Sequence, residues 1–496
     1  MIETLPLLLV VLPILAAAVP LAVGLRVRHS GWYIATVVCA GLFATTLVVA
    51  EAVYVGDMVV QHELGGFSPP IGIPLVADRF STAIALLVTG VSLGVLAYTR
   101  QGGPRGNPFY AAYLLLVGGL LGVTFTGDVF NLFVFLEITG LAAYALIAKG
   151  KGGEAAAAAL KYLILGTLGA SLYLVGVGFL FLSTGHLNMV FLSEAVATAG
   201  YEDPVVRAGF VFMFIGFAIK VAQWPVHTWQ PDAYQRAPDG ITPLIAALVS
   251  TVSAYALGRV LFTVFTVDFL EQTPFANELI VTVGAVSVVA GSVLAVIQVD
   301  IKRMLAYSSV SQFGLIVAAY GVLTETALVG AIIHLVGHGL MKAGLFLAVG
   351  LVAVGAGART VDAYADLSRT HPFAAGSVAL LGIALVGIPP SIGFLGKWYI
   401  AVGAVESGMW VVAAVIFLST MLTLAYVAKL GERMYFYHGK TDSHQAVATD
   451  GGTSRTVSIG MLAVVIAFAI LAILLGFTGD ALYAEFAPFV EEVFDS

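Results

Sequence analysis

Residues 127–150 read GDVFNLFVFLEITGLAAYALIAKG, and within the twenty residues 129–148 the only charged side chain is Glu137. About 20 consecutive apolar residues are the length that crosses a lipid bilayer as an α-helix. The stretch therefore predicts a membrane-spanning helix with one carboxylate near its middle. Ionisable groups at that depth are rare, and they usually mark a functional or structural pairing.

The composition extends this prediction to the whole chain. Of its 496 residues, 60% are hydrophobic and 10% are charged, and the mean hydropathy is +1.00. Soluble domains are roughly half apolar and about a quarter charged, so the chain is an integral membrane protein. A single cysteine excludes a disulfide framework and a cysteine-ligated zinc or iron–sulfur site. The net charge of −7 gives no electrostatic footprint for nucleic acid, and no glycine-rich phosphate loop is present.

Similar apolar windows recur along the chain and predict about 14 spans. They lie near residues 5–25, 31–50, 80–99, 109–126, 129–148, 155–182, 205–224, 241–263, 276–298, 304–322, 326–354, 373–400, 409–429 and 456–476. The longest polar stretches, near 52–78, 183–204 and 437–455, are only loop-sized. The predicted fold class is an all-α polytopic membrane protein, with its chemistry inside the bilayer.

The distribution of positive charge predicts the orientation, since Lys and Arg accumulate in cytoplasmic loops. Fifteen of the 22 basic residues fall at one face of the predicted bundle, whereas Arg79 and Arg207 fall at the other. The fifteen are Arg26, Arg28, Arg100, Arg105, Lys149, Lys151, Arg236, Lys302, Arg303, Arg359, Arg369, Lys429, Arg433, Lys440 and Arg455. We therefore expect a multi-pass protein of the plasma membrane with both termini outside.

The remaining five basic residues fall inside predicted spans: Lys161, Lys220, Arg259, Lys342 and Lys397. A lysine near the bilayer centre costs about 2.5–3.5 kcal/mol on insertion scales. Lys161 and Arg259 are close enough to span ends that snorkelling to the interface is an equal alternative to a functional role. Lys220, Lys342 and Lys397 lie deeper, and we expect them to be functional.

Glu137 is the only carboxylate at comparable depth. One interpretation is a structural ion pair that locks two helices together. The other is a pair that opens and closes. Burial disfavours the charged form of a lysine and a nearby carboxylate favours it, so movement of Glu137 relative to Lys220 would load or release a proton.

A third group lies in the run HLVGHGLMKAGLF, residues 334–346. His334, His338 and Lys342 are spaced four apart and share one helix face. Two histidines at this spacing are one half of a metal site, but no third ligand is evident and the adjacent lysine opposes a cation. We therefore predict a hydrated polar stripe for proton transfer, and no metal.

Two spans carry internal breaks. Lys220 is followed by Trp224–Pro225 and then by His227, Pro231 and Asp232; Pro389–Pro390 precede Lys397 by seven residues. Interior proline interrupts a helix, and interrupted backbone at membrane depth is tolerated only inside protein or along a cavity. Broken spans at corresponding positions of two halves indicate an inverted-repeat transporter. Two unrelated proline kinks are the alternative.

Six segments together resemble one family. They are FTGDVFNLFVFLEI (125–138), LKYLILGTLGASLY (160–173), FAIKVAQWPVHTWQPDAYQRAP (217–238), VIQVDIKRMLAYSSVSQFG (296–314), HLVGHGLMKAGLFL (334–347) and VGIPPSIGFLGKWY (386–399). The chain resembles, from about residue 105 to 430, the large antiporter-like subunits shared by Mrp-type Na⁺/H⁺ antiporters and the membrane arm of respiratory NADH:quinone oxidoreductase. FNLFVFLE and STGHLNM (183–189) look most like the D-type subunit of the Mrp antiporters.

The resemblance implies a fourteen-helix core with two inverted five-helix repeats, no cofactor in this subunit, and other membrane subunits as partners. The implied boundaries are 1–108 for about three N-terminal helices, 109–263 and 275–431 for the two repeats, and 455–496 for a C-terminal helix and an acidic tail.

Matching motif positions also implies roles for individual residues. Glu137 and Lys220 match the family's coupled glutamate–lysine pair. His334, His338 and Lys342 fall on its central histidine helix, and Lys397 matches the exit-side lysine after the double proline. Asp300, Lys302 and Arg303 match a cytoplasmic junction motif, which we interpret as topological anchoring.

One departure concerns the helix after the proline-rich turn. The family often has a lysine there, in a pattern like L-L-x-K-x-x-x-Y, whereas the segment LVSTVSAYALGR (248–259) places Thr251 at that position. A threonine hydroxyl can hydrogen-bond water but carries no proton charge at neutral pH. Either His227 or Arg259 compensates, or the relay is shortened or altered.

Three functions are compatible with these features. The leading hypothesis is a proton-translocating subunit of a multisubunit monovalent cation (Na⁺)/proton antiporter, although no cluster of carboxylate and carbonyl ligands for Na⁺ is evident. The second is a proton-pumping membrane subunit of a redox-driven complex, with its cofactors on other chains. The third is a non-conducting scaffold, which Thr251 favours and the buried charges oppose.

Overall fold

The computed structural model describes residues 2–104, 106–437 and 457–495, so that Arg105, Lys440 and Arg455 lie outside the described residues. The longer helices are α1 (Ile2–Gly24), α2 (Gly31–Val55), α3 (Arg79–Gly102), α4 (Asn107–Phe125), α5 (Val129–Ile147), α6 (Gly152–Thr184), α7 (Met189–Ala199), α8 (Pro204–Lys220), α9 (Trp229–Arg236), α10 (Thr242–Gln272), α11 (Ala276–Val296), α12 (Ile301–Tyr320), α13 (Glu325–Ala356), α14 (Pro372–Val386), α15 (Ile392–Glu406), α16 (Trp410–Tyr435), α17 (Ile459–Phe477) and α18 (Gly479–Asp495). Strands β1 (Val60–Glu63) and β2 (Pro74–Ala77) form an antiparallel hairpin in which Val60 pairs with Ala77.

All fourteen predicted windows coincide with helices. Eleven of the described helices are individually long and apolar enough to cross a membrane: α1 to α6, α10, α11, α13, α16 and α17. The other three windows correspond to α8, to α12, and to α14 together with α15, none of which meets both criteria by itself. Breaks shorten α8 to 17 residues and divide 373–400 into two helices of 15 residues. The polar side chains along α12, among them Lys302 and Gln312, lower its hydropathy.

The two repeats use the same local construction. Asp128 caps α5 and pairs with Asn188, in the segment that follows the long helix α6. Asp300 caps α12 and pairs with Thr360, in the segment that follows the long helix α13. Five spans (α5, α6, α8, α10 and α11) separate the two junctions along the chain, so the junctions lie at opposite ends of the bundle. This is the relation that the predicted inverted repeats require.

Close packing of α6 against α8 depends on glycine. A Cβ at Gly176 would lie 2.7 Å from the carbonyl oxygen of Gly209, and a Cβ at Gly216 would lie 2.6 Å from that of Gly169. Absence of side chains at these positions lets the two backbones meet, as in other membrane helix pairs with small interface residues. The contact sets the height at which α8 ends, and therefore the position of Lys220.

The acidic C-terminal tail forms the amphipathic helix α18. Its apolar residues Phe486, Val490 and Val493 are buried against the bundle, whereas Glu491 and Glu492 are exposed. A helix with one apolar stripe can lie across the end of a bundle in this way. Together with the β1–β2 hairpin, α18 covers one end of the helix bundle.

Candidate functional site

Glu137 and Lys220 meet across the interface of α5 and α8. Lys220 Nζ donates to Glu137 Oε1 at 3.1 Å, and the side chains are 6% and 23% exposed for Lys220 and Glu137, respectively. Lys220 is the last residue of α8, where free carbonyl groups favour a cation. A buried pair of this kind is weak evidence for stability, because desolvation offsets the Coulomb attraction.

An aromatic stack holds the break that follows Lys220. The Trp229 indole Nε1 donates to the Ile219 carbonyl oxygen at 2.9 Å, and Tyr162 of α6 stacks on Trp229 with ring centroids 3.9 Å apart. Tyr144, on the same helix as Glu137, packs edge-on against Tyr162. These rings connect α5, through α6, to the start of α9 beside Lys220. The geometry of the Glu137–Lys220 pair therefore depends on all three of these helices.

The predicted stripe on α13 is fully buried and faces α12. His334 Nε2 lies 2.9 Å from Gln312 Oε1, and the His338 ring packs against Phe313 with centroids 4.7 Å apart. Neither ring nitrogen of His338 has a hydrogen-bond partner among the described residues. Unpaired buried polar atoms in native proteins are commonly satisfied by water, which is what a hydrated stripe requires.

Lys342 and Lys397 are held by oxygen dipoles rather than by carboxylates. Lys342 Nζ donates to the Leu305 carbonyl oxygen at 2.8 Å and to the Ser308 hydroxyl. Lys397 Nζ donates to the carbonyl oxygens of Leu385 and Val386, at 3.2 and 3.0 Å, where α14 ends. The break between α14 and α15 therefore supplies the ligands of Lys397, whereas Lys220 alone of the three deep lysines has an ion-pair partner in the described part of the chain.

The remaining candidates occupy different surroundings. Lys161 is 39% exposed and binds Asp232 at 2.7 Å. His227 is buried, its Nδ1 has no partner within the described residues, and its ring lies 5.9 Å from that of Tyr307. Thr251 is fully buried, and its hydroxyl oxygen likewise has no partner among the residues that the structure describes. The structure thus brings Lys161 to one end of the bundle and Thr251 to its interior.

Arg259 has a partner that sequence analysis did not identify. Its Nη2 binds the Asp78 carboxylate at 2.7 Å, and its Nε donates to the Tyr255 hydroxyl at 3.3 Å. Asp78 also caps α3 by accepting from the Ser81 backbone N–H. The sequence signal for a helix cap at Asp78 is present, but nothing in the sequence connects it to a residue 181 positions away.

The junction motif binds the first repeat rather than only anchoring a loop. Arg303 binds Asp232 at 2.8 Å. Lys302 and Arg359 bind Asp239 at 3.2 and 2.8 Å, and Lys302 is buried. Burial acts to raise the pKa of Asp239, but the two cations outweigh it and hold this pKa below its ordinary value. The interpretation of Lys302 and Arg303 as simple topological anchors is therefore incomplete.

No group of three or more His, Cys, Asp or Glu side chains with metal-site geometry occurs within residues 2–104, 106–437 and 457–495. His334 and His338 are the pair for which a metal was weighed, and their ring centroids lie 6.5 Å apart. A ligand set of at least three protein groups is the usual minimum for a bound transition metal. The arrangement of buried Glu, Lys and His is instead suited to holding and passing protons.

Comparison with known proteins connects this arrangement to a family. The family model described as NADH:quinone oxidoreductase/Mrp antiporter, TM, matches residues 126–423. The N-type subunit of the NADH-quinone oxidoreductase of Desulforudis audaxviator is 38% identical over 438 residues, which cover 87% of this chain and 86% of that protein. The D-type subunit of the Na⁺/H⁺ antiporter of Alkalihalophilus pseudofirmus is 31% identical over 497 residues, with 98% and 97% of the two chains covered.

Solved structures show the same relation. A chain of the Mrp complex from Dietzia sp. superposes with a TM-score of 0.89 at 25% identity and covers 100% of this chain and 98% of that chain. A chain of the membrane-bound sulfane sulfur reductase, an archaeal respiratory membrane complex, gives a TM-score of 0.88 at 28% identity, with 99% and 97% covered. The chain therefore belongs to the NADH:quinone oxidoreductase/Mrp antiporter transmembrane family.

Proposed function

We propose that this chain is the proton-translocating subunit of a multisubunit antiporter that exchanges monovalent cations, principally Na⁺, for protons. The observation that carries the proposal is the Glu137–Lys220 pair, which joins α5 and α8. Lys220 is the last residue of α8, directly before the helix break. The full-length similarity to the D-type subunit of a Na⁺/H⁺ antiporter supports it. Because α8 ends at Lys220, movement of its last turn would separate the pair without bending a continuous helix.

The mechanism that we propose uses the change in the surroundings of Lys220. Glu137 at 3.1 Å stabilises the charged ammonium, so Lys220 holds its proton more strongly in the closed pair than in the separated one. When the pair separates, desolvation favours the neutral amine, and the proton leaves. His334, His338 and Lys342 on α13 then provide a buried line of proton carriers towards Lys397. Binding energy or ion movement elsewhere in the complex would drive the opening.

The orientation and location are part of the same proposal. The end of the bundle with Lys149, Lys151, Arg236, Arg359 and Arg369 faces the cytoplasm by the positive-inside rule. Both termini and the hairpin β1–β2 then lie outside the plasma membrane. The exposed apolar faces of helices such as α2 and α16 contact lipid or the other membrane subunits.

A redox-driven complex is the second candidate, and a specific observation favours it. The 38% identity with the N-type subunit of a NADH-quinone oxidoreductase exceeds the 31% identity with the antiporter's D-type subunit, although the matched region is shorter. The same Glu137–Lys220 chemistry would serve either complex, with electron transfer on other chains as the driving force. A scaffold without conduction is the third candidate, and the buried charges of this pair and of Lys342 oppose it.

Two measurements test the proposal. In vesicles that contain the assembled complex, Glu137→Ala and Lys220→Ala are each expected to abolish cation-dependent proton exchange while the complex stays intact. Full exchange in either assembled variant would refute the mechanism. Purification in mild detergent, followed by mass spectrometry of the bound proteins, separates the two complexes. Small hydrophobic partners alone support the antiporter, and cysteine-rich redox subunits support the second candidate.

A further inference from the structure

A cavity of about 730 Å³ lies at the end of the bundle that carries the hairpin, the outer end in the proposed orientation. Its wall is formed by β1 and β2, the helices α7 and α10, and the C-terminal helix α18. Glu194, Asp268 and Glu492 are acidic groups on this wall, and Asp78 and Arg259 lie on it as a pair. The cavity wall is therefore largely apolar but carries charged groups, and the described ones other than this pair are acidic.

The Asp78–Arg259 pair is held firmly in the wall. The side chains of Arg259 and Asp78 are 12% and 13% exposed, and Arg259 Nη2 lies 2.7 Å from Asp78 Oδ2. Three aromatic rings surround the guanidinium: Phe80, Tyr255 and Phe489, with centroids 5.7, 5.4 and 5.2 Å away. Phe489 belongs to α18, so the C-terminal helix helps to hold the arginine in place.

A polar line continues from this pair into the bundle. Thr251, Tyr255 and Arg259 are four residues apart within the α-helical part of α10, Ser250–Val260, and so share one face. The Tyr255 hydroxyl donates to the Thr124 carbonyl oxygen at 2.8 Å and accepts from Arg259. Thr251, at the inner end, is fully buried, and its hydroxyl is unpartnered in the described part of the chain. A π-helical turn, Ile245–Val249, directly precedes the α-helical part that begins at Ser250, and such turns occur frequently at functional sites.

We propose that this cavity is the water-filled outer access path of the first repeat, and that the Asp78–Arg259 pair is the electrostatic barrier between it and Thr251. The inference rests on the proposed function and assigns to Arg259 the role of a gate rather than of a proton carrier. A fixed guanidinium in a narrow polar path repels hydronium and metal cations, as in pores where arginine sets the barrier to protons. Asp78 lowers that barrier because it neutralises part of the charge.

The proposal predicts opposite effects for the two partners of one ion pair. Arg259→Gln removes the barrier, so the passive proton leak across vesicles that contain the assembled complex is expected to rise several-fold. Asp78→Asn leaves the arginine charge without its counter-charge, so cation-dependent exchange is expected to fall several-fold while the leak stays low. Asparagine retains a side-chain oxygen that can cap α3, so loss of the helix cap does not explain the fall.

The neighbouring pair of Arg79 with Glu485 is a matched control. Arg79 Nη1 lies 2.6 Å from Glu485 Oε2 and connects the start of α3 to α18. The Asp78–Arg259 pair similarly connects the start of α3 to α10, but neither Arg79 nor Glu485 lines the cavity. Arg79→Gln and Glu485→Gln are expected to leave both the leak and the exchange rate unchanged. If Asp78→Asn and Arg259→Gln instead lower exchange alike and cause no leak, the pair is only structural and the proposal is wrong.

Thiol labelling tests the path without relying on transport. Cys39 is the only cysteine of this chain and is buried, so Cys39→Ala removes every thiol from this subunit, whose labelling is then followed by itself. In that background, Thr263→Cys on the cavity wall is expected to react with a positively charged, membrane-impermeant thiol reagent added outside. Thr251→Cys is expected to react only when Arg259→Gln is also present. The proposal would be overturned if the cysteine at position 263 failed to react. It would also be overturned if the cysteine at position 251 reacted while Arg259 is intact.

The labelling result and the function can fail separately. If Glu137→Ala leaves exchange intact, the proposed function is wrong, whereas labelling at 263 and 251 still reports on the path. If exchange depends on Glu137 but the labelling pattern is absent, the proposed function stands and the outer access path lies elsewhere.

Discussion

Individual buried polar groups differ in whether the protein itself satisfies them. Lys220 has a carboxylate, and Lys342 and Lys397 have backbone oxygens. By contrast, His338 and Thr251 have buried polar atoms with no partner in the described part of the chain. Because an unsatisfied buried polar group costs about 1–3 kcal/mol, such atoms persist where water reaches them. These two residues are therefore among the positions at which we expect water in the interior.

Substitution of Thr251 tests the role of a single hydroxyl. Thr251→Val has nearly the same shape but lacks the hydroxyl, and we expect it to slow cation-dependent exchange several-fold. Thr251→Ser keeps the hydroxyl and is expected to retain most of the activity. The measurement is the exchange rate in vesicles, normalised to the amount of assembled complex. Equal rates in the valine and serine variants would show that the hydroxyl has no part in transport.

Among the helices, the functional geometry depends on two broken spans and on one very close contact. Lys220 ends α8 and Lys397 binds the carbonyl groups that end α14, so each break creates the surroundings of a lysine. Continuous helices would direct those carbonyl groups into their own hydrogen-bond ladders. The contact of α6 with α8 fixes the height of Lys220 relative to Glu137. Exchange should therefore be sensitive to residues that bear no charge.

Two glycines on α6 provide a matched test of the helix contact. A Cβ at Gly176 would lie 2.7 Å from the Gly209 carbonyl oxygen and 2.5 Å from Met213 Cγ, whereas a Cβ at Gly178 meets nothing within 4 Å. Gly176→Ala is expected to destabilise the complex by about 1–3 kcal/mol through overpacking and to lower exchange. Gly178→Ala is expected to leave both unchanged. Thermal unfolding of the purified complex measures the difference, and equal melting temperatures would show that the α6–α8 contact tolerates a methyl group.

In the molecule as a whole, the two repeats are joined by charges at one end of the bundle. Asp232 and Asp239 follow the break of the first repeat, and their partners Arg303, Lys302 and Arg359 belong to the second. Movement of the segment after the first break therefore acts directly on α12, the helix that faces the stripe of α13. Through these ion pairs, opening of the proposed Glu137–Lys220 pair would displace side chains of the second repeat.

Loss of the Asp239 charge tests how strongly the repeats are joined. Asp239→Asn leaves Lys302 buried without its counter-charge, and breaking a buried pair in this way costs about 3–5 kcal/mol. Asp366→Asn breaks an exposed pair with Arg369 on the same end of the bundle, for which about 0–1 kcal/mol is expected. We expect a clearly lower melting temperature for the first variant only. Similar melting temperatures would mean that the Asp239 cluster contributes little to the interface.

Hydropathy, proline and deep ionisable residues are local features of the chain. The amino-acid sequence by itself therefore predicted the membrane class, the fourteen helical windows, the two breaks and the buried charges. The family could be read there too, and the comparisons confirm it. The partners of these charges could not. Asp78 beside Arg259, Asp239 beside Lys302, and the cavity between α7, α10 and α18 became visible only in the folded chain. Each joins residues far apart in sequence, and such contacts depend on how helix faces pack rather than on any local pattern.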